Sequence, residues 1–136
     1  MAVLTRGEVA EQAHVHVETL RYYERRGLVS RPLRSVSNYR LYPEDTVRRV
    51  RFVKRAQDLG LSLKEIKELL ALRAAPKTQC GAVRERTVAK IKDIEEKIRG
   101  LQAMKKALAK LVAECSGRGP ITECPILEAL DAEDSL

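Results

Sequence analysis

A seven-residue repeat between Cys80 and Cys115 constrains this chain more than any other feature. It puts Ile91, Ile98, Lys105 and Val112 at one seam position and Thr87, Ile94, Leu101 and Leu108 at the other. Carrying the second series one heptad further each way lands on Cys80 and on Cys115. No proline interrupts residues 77–119, and the other faces are rich in Lys, Arg and Glu. Such a pattern predicts a coiled-coil helix. A separation of 35 residues at helical rise is roughly 50 Å. Two thiols that far apart on one straight helix can meet only across a dimer, and only an antiparallel one.

The rest of the chain reads as helical. Aromatics are scarce, with one Phe, four Tyr and no Trp, which argues against a single large core. The expected fold class is mostly α, with a small head before the long helix. No apolar run approaches the length of a membrane span, and Met1–Ala10 has no signal-like apolar region, so a cytoplasmic protein is expected.

Charge is concentrated in that head. Residues 1–74 hold 15 Lys and Arg against 9 Asp and Glu, a net of +6, whereas residues 75–136 net +1. Within 21–55 there are 11 basic residues, ten of them Arg, against 3 acidic ones. A patch of this kind is the footprint of a polyanion.

Thr5-Arg6-Gly7-Glu8 fits a capping box that starts a helix running to about Ala13. His14-Val15-His16 makes a turn, and a second helix runs from Val17 to a C′ glycine at Gly27. Two short helices joined this way form a helix-turn-helix, with the second as recognition helix. Leu20 and Tyr23 or Glu24 give it a packing face, while Arg21 and its neighbours face outward, where arginine can bind guanine or phosphate. Residues 28–42 suggest a β-hairpin wing, with Asn38 at the turn and Arg34 and Arg40 flanking it. Pro43-Glu44-Asp45 is expected to open a third helix, with Val47, Val50, Phe52, Val53, Ala56 and Leu59 as its buried stripe. Ser62-Leu63-Lys64-Glu65 caps a fourth helix that carries Ile66, Leu69 and Leu70.

After Cys115, Ser-Gly-Arg-Gly-Pro-Ile-Thr-Glu reads as a loop. Cys124-Pro125 then starts one or two helical turns, with Pro125 at N1 and Cys124 at or beside the N-cap. The loop can fold Cys124 back on Cys115, and an antiparallel partner would bring its Cys80 to the same place. Singly, each thiol could be a small hydrophobe filling a gap. Jointly they form a three-sulfur set. The only histidines, His14 and His16, lie in the head, so a four-coordinate Zn²⁺ would lack a protein ligand. Three thiolates suit a soft, thiophilic ion.

Residues 17–25 with Gly27-Leu28, then Asn38-Tyr39-Arg40-Leu41-Tyr42, then Arg51-Phe52-Val53-Lys54 and Leu59–Ile66, together with the three cysteines, resemble the MerR family of metal-responsive transcription regulators. The resemblance implies a homodimer joined by an antiparallel coiled coil. It implies a promoter with an over-long spacer, which the metal-bound dimer untwists so that RNA polymerase can open it. Val17, Glu18, Thr19, Arg21, Tyr22, Tyr23, Arg34, Asn38, Tyr39 and Arg40 become the expected DNA contacts. Cys80 of one chain with Cys115 and Cys124 of the other become the metal ligands, with Hg(II) as leading inducer and Cd(II) or Pb(II) behind it. Three parts are expected: a winged helix-turn-helix over 1–74, a linker and coiled-coil helix over 75–114, and a metal-binding loop with a short helix over 115–136. His16 stands where that family has a small N-cap residue, His14 where it often has Gly, and Asn38 where a wing glycine is usual. An architectural DNA-binding dimer with structural cysteines is the competing reading. An enzyme is not expected, because a cysteine nucleophile needs a base and neither histidine is placed to serve.

Overall fold

In a computed structural model, residues 3–34 and 40–132 are described. The chain forms two compact units, Met1–Arg84 and Glu85–Leu136.

The first unit begins with strand β1 (Val3–Thr5) and helices α1 (Arg6–Ala13) and α2 (Val17–Arg25). Thr5 caps α1 with a reciprocal box: its side chain accepts from the Glu8 amide, and Glu8 Oε1 accepts from the Thr5 amide at 3.0 Å. That backbone bond, with the Thr5 side chain second, holds the Glu8 carboxyl below its usual range. His14 then closes α1 in the left-handed region at φ 58°. Its amide reaches Glu11 and the Val15 amide reaches Ala10, a paired C-terminal closure. α2 closes the same way. Gly27 at φ 74° sends its amide to Glu24, and the Leu28 amide goes to Tyr23. This turn drives Leu28 and Val29 into the core, at 0% and 3% exposure.

Strands β2 (Leu33–Arg34) and β3 (Arg40–Pro43) follow. The expected hairpin is joined by β1, a strand the sequence reading lacked. The order is β1-β3-β2, antiparallel throughout, with Leu4 opposite Tyr42 and Arg34 opposite Arg40. The expected turn at Asn38 lies outside the described residues.

Helix α3 (Thr46–Asp58) starts later than expected. Pro43 does not open it. It ends β3 opposite Val3, and having no N–H it suits the last rung of a ladder. Val47, Val50, Val53 and Ala56 form the buried stripe, with Phe52 packed beside it. Leu59 is not part of that stripe. It is the C-cap residue and is 73% exposed, because Gly60 at φ 89° turns the chain away. Helix α4 (Leu63–Arg73) has the expected capping box at Ser62 and Glu65, and buries Ile66 and Leu70. The core of the head is thus built from α1, α2, β3, α3 and α4 around Val9, Leu20, Tyr23, Tyr42, Val50 and Ile66.

Helix α5 (Cys80–Glu114) is one unbroken helix of 35 residues with no buried residue. In the second unit, a single 3-10 turn at Ile121–Glu123 interrupts the expected loop, and helix α6 (Pro125–Asp131) closes the described chain. No helix among the described residues is long and apolar enough to cross a membrane.

Candidate nucleic-acid interface and cysteine positions

The amphipathic pattern of α2 sorts its side chains into two groups. Leu20, Tyr23 and Glu24 are buried, Glu18, Arg21 and Tyr22 are exposed, and Val17 and Thr19 are half-buried. Arg21 donates to Glu18 Oε1 at 2.9 Å. An exposed i,i+3 pair is worth little, so Arg21 can exchange that carboxylate for a base edge or phosphate. The Arg25 guanidinium lies over the Tyr22 ring, 5.9 Å from its centroid.

Tyr23 is 1% exposed and its hydroxyl donates to Gln57 Oε1, which holds α2 against α3. A shallow groove beside α2 is lined by residues that include His14, His16, Thr19, Tyr22, Tyr23 and Lys54. His16 is the N-cap of α2, with no side-chain hydrogen bond to the helix amides.

Arg34 and Arg40 are register partners on β2 and β3. Asn38 and Tyr39 lie outside the described residues.

The basic patch is only partly free. Arg49 Nε donates to the Leu28 carbonyl at 2.8 Å, and an Arg51 guanidinium nitrogen to the Gln12 carbonyl at 2.7 Å. Lys54 pairs with Asp58 at 2.9 Å. Counting charges does not distinguish such internally bonded side chains from those free to meet a polyanion.

A buried polar cluster was also missed. Arg6, Glu24 and Tyr42 bond to one another inside the head: Arg6 Nε donates to the Tyr42 hydroxyl oxygen and a terminal guanidinium nitrogen donates to Glu24. Burial first, and then the bond to Glu24, push the Tyr42 phenol above its ordinary value. A signal for this existed in the sequence. Glu24 falls four residues after a core leucine, and a carboxylate on a packing face needs a partner.

The three cysteines are all free thiols. Cys80 is the first residue of α5 and is exposed, and it belongs to the first unit. Cys115 follows the last residue of α5 and Cys124 is the N-cap of α6, with Pro125 at its start. Both are half-buried and belong to the second unit. Among the described residues of one chain, no three His, Cys, Asp or Glu side chains form a group that could hold a metal ion.

Comparison with known proteins agrees with this architecture. The family described as MerR HTH family regulatory protein matches residues 4–72, and the one described as MerR, DNA binding matches residues 47–111. A mercuric resistance operon regulatory protein of Bacillus cereus is 41% identical over 124 residues, 91% of this chain and 94% of the relative. The lead(II) complex of the transcription regulator PbrR691 from Ralstonia metallidurans CH34 superposes with a TM-score of 0.84 at 36% identity, covering 93% of this chain and 98% of that one. The mercury(II) complex of the dual function transcriptional regulator MerR from Bacillus megaterium MB1 gives 0.73 at 37% identity, covering 95% and 100%. The chain belongs to the MerR family of helix-turn-helix transcription regulators, which bind DNA and are not enzymes.

Proposed function

We propose that this regulator is a homodimer that responds to Hg(II). Residues 1–74 read promoter DNA, 75–114 pair the chains and 115–136 complete the metal site. The observation that carries the reading is the apolar side of α5. Val83, Ile91, Ile94, Leu101, Met104, Leu108 and Val112 are all exposed in one chain, with a thiol at each end of the helix. A two-fold that sets Cys80 opposite the partner's end at Cys115 also sets Val83 against Val112, Thr87 against Leu108, Ile91 against Met104 and Ile94 against Leu101. One antiparallel register therefore brings the sulfurs together and sets apolar side chains against one another at Val83–Val112, Ile91–Met104 and Ile94–Leu101.

In this reading Cys80 of one chain joins Cys115 and Cys124 of the other. Three free thiols, in a chain whose two histidines both lie in the head, fit a soft ion by donor chemistry. Bound metal would supply strong sulfur ligation across the subunits. The chain's own part is to hold Cys80 at the root of a DNA-reading head, so that clamping one helix end resets the spacing and angle of the two heads. Without metal the dimer represses mercury-resistance genes; with it the DNA is untwisted for RNA polymerase, the strain being offset by contacts to the distorted form.

Thiolate-to-metal absorbance is expected on adding Hg²⁺, and its loss in Cys124→Ser. Mixing Cys80→Ser chains with Cys115→Ser/Cys124→Ser chains should restore one intact three-sulfur site per dimer. No restoration would mean that the ligands are not shared. A second reading, Pb(II) as inducer, is favoured by the lead-bound relative's close superposition. Competition among Hg²⁺, Pb²⁺, Cd²⁺ and Zn²⁺, read by promoter-dependent transcription, separates the two.

A further inference from the structure

The head contains a closed ring of three side chains from three elements. Arg6 opens α1, Glu24 lies in the last turn of α2, and Tyr42 lies on β3. Arg6 Nε donates to the Tyr42 hydroxyl oxygen at 3.0 Å. A terminal nitrogen of Arg6 donates to Glu24 Oε2 at 3.1 Å. The Tyr42 hydroxyl donates in turn to Glu24 Oε1 at 2.8 Å. The Arg6 and Glu24 side chains are 14% and 7% exposed, and Tyr42 is fully buried.

Stability alone does not call for this ring. Buried ion pairs can often be replaced by apolar side chains of similar volume at no loss. What apolar packing lacks is direction, which a ring of three hydrogen bonds, two of them to one carboxylate, supplies. The ring's position gives that direction a use. Glu24 lies three residues after Arg21 on α2, and Tyr42 lies two residues after Arg40 on β3. The ring therefore ties the helix that carries the expected base contacts to the strand that carries the expected wing contacts.

The geometry points to Glu24, held by Arg6 and Tyr42, as the positioning residue that fixes the recognition helix against the wing and so gives the head its preference for operator over other DNA. This rests on DNA reading by α2 and the wing. Phosphate contacts tolerate a small tilt of the helix, whereas bidentate base contacts do not.

The test uses the full-length dimer and a duplex that the wild type selects from a random pool, with a scrambled duplex of equal length as control. Tyr42→Phe removes one hydroxyl, opening the hydrogen-bonded ring, and keeps the aromatic side chain. Its affinity for the selected duplex should fall at least tenfold, with affinity for the scrambled duplex within twofold and the salt slope unchanged. Glu24→Gln should give the same pattern, and stands in if Tyr42→Phe does not fold. Equal loss on both duplexes would make the ring merely structural and overturn the inference. So would an unchanged ratio in a folded variant. If the wild type enriches no sequence, base reading itself fails, which is seen before any variant is made.

Discussion

His14 holds a left-handed conformation, φ 58°, that a side chain with a Cβ enters only at a cost. His14→Gly is expected to stabilise the head by about 1 kcal/mol, read as a higher urea midpoint at unchanged slope. His16, two residues on, occupies an N-cap without capping anything. His16→Ser should add roughly 0.5–1 kcal/mol by accepting an orphan amide of α2. Tyr42 gives a pH prediction. Its phenol is raised in the folded state, by burial first and then by Glu24. A group raised in this way contributes fully below its unfolded pKa, and the contribution is lost as pH rises through the folded one. Thermal stability should therefore fall through the alkaline tyrosine range, and less steeply in Tyr42→Phe. Both histidines were visible in the sequence as departures from a family pattern. Only the backbone angle and the empty cap show what each departure does.

At the scale of elements, the local signals were the most readable. The boxes at Thr5–Glu8 and Ser62–Glu65 and the glycine closures at Gly27 and Gly60 each act within a few residues, so sequence spacing encodes them. Pro43 and Leu59 were misplaced for the opposite reason. Whether a proline ends a strand or starts a helix depends on β1, which is 38 residues away or more. Whether a leucine at a helix end is buried depends on where the next turn sends the chain. Helix α5 offers a direct check. A Cβ on Gly100 would meet nothing within 4 Å in its own chain. Gly100→Ala should then stabilise the helix by about 1 kcal/mol per chain, seen as a higher Tm. Leu101→Asp, on the exposed seam, should instead dissociate the dimer in sedimentation velocity and abolish tight DNA binding.

For the whole molecule, the basic head predicts strong salt dependence. Arg49 and Arg51 serve backbone carbonyls, so only part of the patch is free to meet phosphate. If each head neutralises about four phosphates, log K should fall with log salt at a slope of about −7 for the dimer. The architecture was legible because heptads, caps and charge are patterns along the chain. The thiol placements at the ends of α5 and at the start of α6 were legible for the same reason. The Arg6–Glu24–Tyr42 ring was not, since its members lie 18 residues apart in each step and nothing local links them.

The absence of any buried residue along α5 within one chain has a further consequence. Under the proposed pairing, the longest element of the protein draws its stability from a second copy, so its melting point belongs to a concentration and not to a sequence. By mass action each dilution lowers it. Freshly made chains at low abundance would carry an apolar strip open to proteases until they find one another. Gene dosage would then set how much working regulator a cell holds, more steeply than in proportion to the amount synthesised.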